Sequence, residues 1–391
     1  MANGRLAFPA GMLVGVAAGA LWVVAGRRWL EDEHELMDWD RVQSMALRTA
    51  GRTPLESPWT SRRLRAAYES MVDRVEGPIA DYTGTSLPGV HKPSVSVMGR
   101  REWIEANVSS FRFLFEPVEE MYRELGRQNT VVIPGLGHLS RLAVSSQIGL
   151  LLGYLSRRVL GQYDMSLLGR EPMDSGRLYF VQQNIEAIES ELHLPPEEFR
   201  TWIALHESTH AHEFEVFPWL RHYMNHTLRA YLDCVLEEVR RPHGGASATT
   251  TAVARMVDNL RSGRSILESV MTTRQRHYMN QLQALMCLVE GYSNHIMNRV
   301  GISLMPHFHD VKALVDSRGK ERSQAERLFL KLTGLSMKME QYKLGESFVD
   351  RVVEARSIGF ANRVWEGPEN LPTMEEILRP QRWVSRMESA A

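Results

Sequence analysis

Apolar side chains recur along most of the chain at the three- and four-residue spacing of amphipathic helices. Strand-like patterning is confined to a short run from Leu178 to Val181, which lies between Gly176 and Asn184. Residues 82–98 are rich in Gly, Pro, Ser and Thr and are predicted to form a loop, and the proline-rich tail is predicted to be irregular. The pattern therefore predicts a mostly α protein with minor β. The predicted helices span residues 38–47, 62–75, 103–125, 144–155, 194–216, 226–240, 253–267, 275–300, 323–332 and 337–356, with a loop over 242–251.

The first residues of the chain follow a different pattern. Residues 6–25 carry no charged side chain, and Arg27 and Arg28 follow them. About 20 apolar residues are enough for a helix to cross a bilayer. We therefore interpret residues 1–30 as a transmembrane helix that anchors the protein. A signal peptide cleaved near residues 18–20 and a soluble helix are the alternatives.

This N-terminal segment also bears on assembly and location. Small residues recur every four positions on one helix face: Gly11, Gly15 and Gly19. Two membrane helices can approach closely along such a face, which makes it a candidate surface for a homo-oligomer. One arginine precedes the segment and three follow it closely: Arg5 before, and Arg27, Arg28 and Arg41 after. The positive-inside rule then places the main domain in the cytoplasm, with a soluble or exported protein as the alternative.

Composition narrows the class of the remaining chain. Lys and Arg number 46 against 47 Asp and Glu, a formal net charge of -1, so the basic excess of most nucleic-acid-binding proteins is missing. We therefore expect no nucleic-acid partner. The two cysteines, Cys234 and Cys287, lie in apolar helical patterns and are predicted to be buried thiols. Residues 37–385 are interpreted as one globular domain.

The segment that carries chemistry is an HExxH motif at residues 206–210, within the predicted helix over 194–216. Two histidines four positions apart lie on the same helix face, so the imidazoles of His206 and His210 can bind one metal ion. Glu207 is placed to act as general base toward a water molecule, as in HExxH zinc metalloproteases. We therefore predict that His206 and His210 bind Zn2+. A polar helix face with two histidines, and a zinc site without catalysis, are the alternatives.

Three further histidines follow the motif closely: His212, His222 and His226. The longer metzincin pattern requires a glycine at position 213 and a histidine at position 216. This chain has Glu213 and Val216 there, so the metzincin pattern does not fit. We predict that the three histidines are surface or capping residues.

A catalytic zinc usually has three protein ligands and a water molecule, so a third ligand is needed. Glu290 is the preferred candidate because it follows the apolar run at residues 285–289, and a carboxylate in a buried helix has to be paired or bind a metal. A buried ion pair is the other explanation of Glu290. Glu237, in a more polar helix, is the fallback ligand. The candidates for the donor that stabilises the oxyanion are Tyr292, His295 and Tyr342.

Several longer stretches make the chain resemble a bacterial family of zinc-dependent metallohydrolases with a zincin-like fold. Some members of that family are loosely associated with the biosynthesis of a deazaflavin coenzyme. The matching stretches are MDWD (37–40), DYTG (81–84), VLGQYD (159–164), FRTWIALHESTH (199–210), FPWL (217–220), VEGY (289–292), FLKLTGL (329–335) and VWEGP (364–368). The resemblance implies a zincin-like metallopeptidase core around the HExxH active-site helix, with one zinc ion and no particular substrate.

Two further expectations come from zincins as a class. Their active-site helix lies beside an edge strand that receives an extended substrate, a place that the predicted strand at residues 178–181 would take. In zincins of the glutamate type, an acidic residue four positions after the third ligand commonly orients a ligand histidine. Here that residue is Asn294, whose side-chain oxygen can still accept a hydrogen bond.

The function predicted from the sequence is that of a membrane-anchored, zinc-dependent hydrolase. Specifically, we expect a metallopeptidase that cleaves peptide or amide bonds of a peptide or protein substrate by metal-activated water, with Glu207 as the catalytic residue. The alternative is a catalytically silent zincin-like protein that binds a partner or serves as an accessory protein. Replacement of Glu207 distinguishes the two: an enzyme would lose turnover and keep its zinc, whereas a binding protein would lose nothing.

Overall fold

The computed structural model describes residues 37–51, 58–88, 93–127, 136–163, 176–240, 271–318 and 335–389. Helices dominate these residues, as the sequence pattern predicts. The first ten are α1 (Trp39–Ala50), α2 (Pro58–Thr83), α3 (Arg100–Arg127), α4 (Leu136–Ser156), α5 (Gln182–Leu192), α6 (Pro196–Val216), α7 (Trp219–Arg240), α8 (Thr273–Leu304), α9 (Phe308–Arg318) and α10 (Leu335–Ala355). Three short helices follow: α11 (Ile358–Ala361), α12 (Met374–Leu378) and α13 (Pro380–Ser389).

Several sequence predictions fall outside the described residues. They are the membrane anchor at residues 1–30 with its glycine face, the loop at 242–251, and the helices at 253–267 and 323–332. Within the described part of the chain, every helix is too short or too polar to cross a bilayer. The anchor and the extent of the domain, 37–385, stay predictions.

One small sheet contains the three strands β1 (Ser94–Met98), β2 (Gly161–Tyr163) and β3 (Arg177–Val181), in the order β1-β3-β2. The central strand β3 pairs in parallel with β1 and antiparallel with β2. The strand predicted at residues 178–181 is therefore confirmed, but it is not an edge strand. The edge beside the HExxH helix α6 is β2, which the sequence analysis missed because three residues are too few to show an alternation.

The segment at residues 82–98 is not a single loop, as predicted, but contains the end of a helix and a strand. Helix α2 continues to Thr83, and the alternating residues Ser94–Met98 form β1, with Val95 buried. The abundance of turn-forming residues around this short alternation hid the strand from the sequence analysis.

Helix α6 lies in the interior of the molecule, with α2, α8 and β2 packed against it. All of its residues from 201 to 214 are buried, including the polar ones. Helix α8 is also largely buried and crosses α10 at Gly291 and Gly345. A Cβ atom on Gly345 would lie 1.8 Å from the carbonyl oxygen of Cys287, so the two backbones can touch only because a glycine stands there. Helix α8 is thus packed tightly on α10, and it also packs against α6.

The tail is more regular than its prolines predict. Pro368 and Pro380 each stand at the first position of a helical turn, where the missing N–H group costs no hydrogen bond. Thr373 forms a capping box at the start of α12. The indole rings of Trp365 and Trp383 are buried, so the tail belongs to the core.

Candidate metal centre

The HExxH motif lies in the buried middle of α6, as the sequence analysis predicts. The helix begins at Pro196, a residue that is common at the first helical position. The negative charges of Glu197 and Glu198 in its first turn interact favourably with the positive end of the helix dipole. The imidazoles of His206 and His210 are one turn apart, with ring planes at 86° and Nε2 atoms 3.0 Å from each other. Both Nε2 atoms therefore point at the same small volume.

Glu290 comes to this volume from α8. Its carboxylate oxygens lie 4.0 Å from His206 Nε2 and 3.7 Å from His210 Nε2. His206, His210 and Glu290 each place one possible ligand atom within 4.8 Å of the other two. Among the described residues, these three are the group whose spacing fits a metal site. Bond lengths of about 2.0–2.1 Å in a tetrahedral zinc site place ligand atoms about 3.3 Å apart. The three side chains are thus close to the separation that one ion requires.

The charge states of these residues also fit a divalent cation. Burial lowers the pKa of His210 to about 3. Burial, and to a lesser extent the neighbouring His210, lower the pKa of His206 well below its usual value. Both rings are therefore neutral at pH 7 and can donate an electron pair to a metal ion. Burial, and then the charge of Glu207, raise the pKa of Glu290 well above its usual value. Its Oε2 atom is buried and has no hydrogen-bond partner in the described part of the chain. A buried carboxylate is costly unless a cation or a proton neutralises it.

His210 is oriented by a carboxylate from its own helix. Glu213 Oε2 lies 2.8 Å from His210 Nδ1, and Ser293 Oγ lies 3.1 Å from the same nitrogen. A hydrogen bond at Nδ1 leaves Nε2 free to bind a metal. The orienting role predicted for Asn294 is therefore taken at His210 by Glu213, which the sequence analysis noted only as a mismatch to the metzincin pattern. On the other ligand, His206 Nδ1 lies 3.0 Å from Met297 Sδ.

Glu207 faces the edge strand β2. A Cβ atom on Gly161 would lie 2.6 Å from Glu207 Oε1, so only glycine leaves room for this carboxylate. Oε1 is buried and has no hydrogen-bond partner among the described residues. Burial raises the pKa of Glu207 well above its usual value, and a backbone hydrogen bond from Tyr163 opposes part of that rise. The carboxylate is thus placed to take up a proton.

The neighbouring histidines have different environments. His222 and His226 are exposed, which confirms the prediction of surface residues. For His212 the prediction is wrong, because this residue is buried and its Nε2 atom donates a hydrogen bond of 3.0 Å to the carbonyl oxygen of Thr85. That bond joins α6 to the segment after α2.

The described side chains among the other candidates have their hydrogen-bond or ion-pair partners outside the cluster. Glu237, the fallback ligand, is exposed and forms an ion pair of 3.1 Å with Arg274. Tyr292 donates a hydrogen bond of 2.7 Å to Asn362. His295 lies 2.7 Å from the hydroxyl of Tyr82 and 2.5 Å from Asp350, so both of its ring nitrogens have partners on other helices. The side chain of Tyr342 lies outside the described residues. Both cysteines are buried and free, as predicted.

Two buried imidazoles one turn apart, a carboxylate from a second helix and a further carboxylate beside them form a candidate metal centre of the kind that HExxH proteins contain. The chain belongs to the zincin-like metallopeptidase family, whose sequence model matches residues 37–384. This confirms the family resemblance and the fold class that the sequence predicts.

Comparison with solved structures agrees with the family. A crystal structure of a hydrolase candidate with a novel fold, from Chloroflexus aurantiacus, is 38% identical in sequence, with a TM-score of 0.65. The match covers 90% of this chain and 99% of that chain. A search of curated proteins finds no match.

Proposed function

We propose that the protein is a zinc-dependent hydrolase, and specifically a metallopeptidase that cleaves peptide or amide bonds. The observation that carries this proposal is the convergence of His206, His210 and Glu290 beside Glu207 in a chain of the zincin-like metallopeptidase family. Neutral imidazole nitrogens and one carboxylate are a common ligand set of catalytic zinc. Zinc held there would supply Lewis-acid chemistry toward a carbonyl group and a water molecule.

The chain's own residues then divide the work. His206, His210 and Glu290 would hold the ion, and Glu213 keeps His210 in the tautomer that binds through Nε2. Glu207 would take the proton of the attacking water at its free Oε1 atom and return it to the leaving amine. Burial raises the pKa of Glu207 above its usual value, which makes the carboxylate a stronger base toward water.

The same proposal includes a peptide or protein substrate, and the match to a metallopeptidase family supports this part. A substrate extended along β2, the edge strand beside α6, is not included, because all three residues of β2 are buried and the Tyr163 amide already bonds to Glu207. The alternative is a zincin-like protein that binds a partner without turnover, which would need His206, His210 and Glu290 but not Glu207.

A digest of a broad peptide library by zinc-loaded protein tests the proposal. We expect turnover by the wild type, and a loss of about 100-fold or more in Glu207→Gln, which removes the general base but keeps the zinc. Glu198→Gln is the matched control, because Glu198 lies on the same helix but pairs with His307 at the surface. No turnover by the zinc-loaded wild type, or full turnover by Glu207→Gln, would contradict the proposal.

A further inference from the structure

A group of four residues fastens strand β2 to the C-terminal part of α6. The hydroxyl of Tyr163, on β2, donates a hydrogen bond to Glu215 Oε1, on α6. The backbone N–H group of Gly176 donates to the same oxygen over 2.7 Å. Arg221, on α7, donates to the Tyr163 hydroxyl over 2.8 Å and lies 3.6 Å from Glu215. We call these four residues, Tyr163, Gly176, Glu215 and Arg221, the strand clamp.

The strand clamp is largely shielded from solvent. The side chains of Glu215 and Arg221 are only 10% and 12% exposed, so their charges interact more strongly than those of a surface pair. The ring of Tyr163 stacks on Phe214, with ring centroids 5.8 Å apart. A Cβ atom on Gly176 would lie 2.4 Å from the Tyr163 hydroxyl oxygen, so a glycine is needed for the ring to reach Glu215. The arrangement is thus fitted around one tyrosine.

The other end of the same strand touches the catalytic carboxylate. In the antiparallel pairing, the amide of Val181 donates to the carbonyl of Leu160, and Gln162 is paired with Tyr179. In such an antiparallel ladder, the backbone N–H and C=O groups of every second residue point away from the partner strand. The amides of Gly161 and Tyr163 therefore point away from β3. Gly161 contacts Glu207, and the Tyr163 amide is the backbone group that hydrogen-bonds to it. The edge that holds Glu207 therefore belongs to the strand that the clamp holds.

We propose that Glu215 and Arg221 are positioning residues that fix Glu207 through strand β2. Glu207 and Glu215 are eight positions apart on α6, a span of about 12 Å at 1.5 Å per residue. A strand of three residues fastened to the helix at both points cannot slide along it. Loss of the clamp would let β2 move by a fraction of an ångström and carry the backbone groups at Glu207 with it. The catalytic consequence rests on the proposed function.

The test compares Arg221→Gln and Glu215→Gln with wild type, all loaded with zinc. We expect kcat to fall at least 10-fold while KM and zinc content stay unchanged, because small misplacements of a catalytic group can cost up to about 100-fold. We also expect the amides of β2 to exchange hydrogen faster than in wild type. If either variant does not fold, Tyr163→Phe is tested in its place, because it keeps the stacked ring and removes only the hydroxyl.

Arg200→Gln is the matched control. Arg200 lies on α6 and forms a comparably buried ion pair with Glu189, 2.6 Å away, on the side of the helix toward α5. Its loss should leave the exchange of β2 unchanged. The inference is overturned if the β2 amides of the clamp variants exchange hydrogen at the wild-type rate. It is also overturned if these amides exchange faster but kcat does not fall. If the wild type shows no turnover, the proposed function fails, and the exchange of β2 alone decides whether the clamp positions the strand.

Discussion

At the residue scale, three carboxylates and two imidazoles share one buried volume, and their contacts give them different roles. Glu290 faces both Nε2 atoms, Glu213 faces only the Nδ1 atom of His210, and Glu207 turns toward the edge strand. Burial raises the pKa of each of the three carboxyl groups well above its usual value. Without a bound cation, these groups would resist ionisation together.

Glu213→Gln tests the orientation of His210. The amide oxygen of glutamine can still accept a hydrogen bond from Nδ1, but the negative charge that strengthens the ligand is gone. We expect the zinc dissociation constant, measured by competition with a chromophoric chelator, to rise about 10-fold. Glu198→Gln, on the first turn of α6 and paired with His307, is the control and should keep wild-type affinity. An unchanged dissociation constant in Glu213→Gln would remove its proposed role.

The metal-free protein should lose stability as the pH rises. A group whose pKa is raised in the folded state contributes stability that is present below its unfolded pKa, near 4.5, and is lost as the pH rises through the folded pKa. The two histidines have lowered pKa values, so their contribution is complete above about pH 6.5 and does not change further. Above pH 6.5, any further change in stability that these groups cause therefore comes from the carboxyl groups.

Thermal unfolding of the metal-free protein at pH 6.5 and 8.5 measures this effect. We expect the Tm of the wild type to fall more than the Tm of Glu290→Gln, which has one buried acid fewer. Saturating zinc should remove most of the difference between the two pH values in the wild type, because the cation neutralises the carboxylates. Equal pH dependence in the two metal-free proteins would contradict the assignment of the raised pKa to Glu290.

At the scale of elements, the site depends on how α8 is held against α6. The motif on α6 is local in sequence, so helical periodicity was enough to predict that His206, Glu207 and His210 share a helix. Glu290 was predicted from the cost of burying a carboxylate, and the structure brings it to the two histidines. The crossing of α8 with α10 at Gly345 could not be predicted, because it depends on two backbones that meet in space.

Gly345→Ala tests the crossing. The added Cβ atom would lie 1.8 Å from the carbonyl oxygen of Cys287, a rigid backbone atom, so the helices have to separate. We expect the free energy of unfolding, from urea titration, to fall by about 1–3 kcal/mol, and the zinc affinity to fall with it as α8 moves. Gly359→Ala, in α11, is the control, since its added Cβ atom would lie 3.7 Å from Ser357 Oγ, an ordinary contact, and it should not lower the free energy of unfolding. Equal stability of the two variants would show that the crossing is not tight.

At the scale of the whole molecule, the sequence predicted the mostly helical class and the family, which longer motifs such as residues 199–210 and 289–292 carry. It did not predict strands β1 and β2 or the order of the tail. Five residues, three on one face of Ser94–Met98 and two on the other, are a weak signal, and β2 is recognised only through its pairing with β3. The tail is ordered by burial of Trp365 and Trp383, a tertiary effect that local propensity does not contain.

The predicted membrane anchor at residues 1–30 is tested by fractionation. We expect the full chain to stay with membranes after an alkaline carbonate wash and a variant without residues 1–30 to be released, because about 20 uncharged residues suffice to cross a bilayer. Recovery of the uncleaved full chain in the soluble fraction would contradict the anchor. Protease protection in sealed vesicles then tests the predicted cytoplasmic location of the main domain.

The central claim is that one zinc ion is held by His206, His210 and Glu290, and anomalous diffraction at the zinc edge tests it most directly. Crystals of the zinc-loaded protein should show a single anomalous peak in contact with both Nε2 atoms and one Glu290 oxygen, at about 2.0–2.2 Å. A peak held by other residues, or none at this centre in zinc-loaded crystals, would contradict the account.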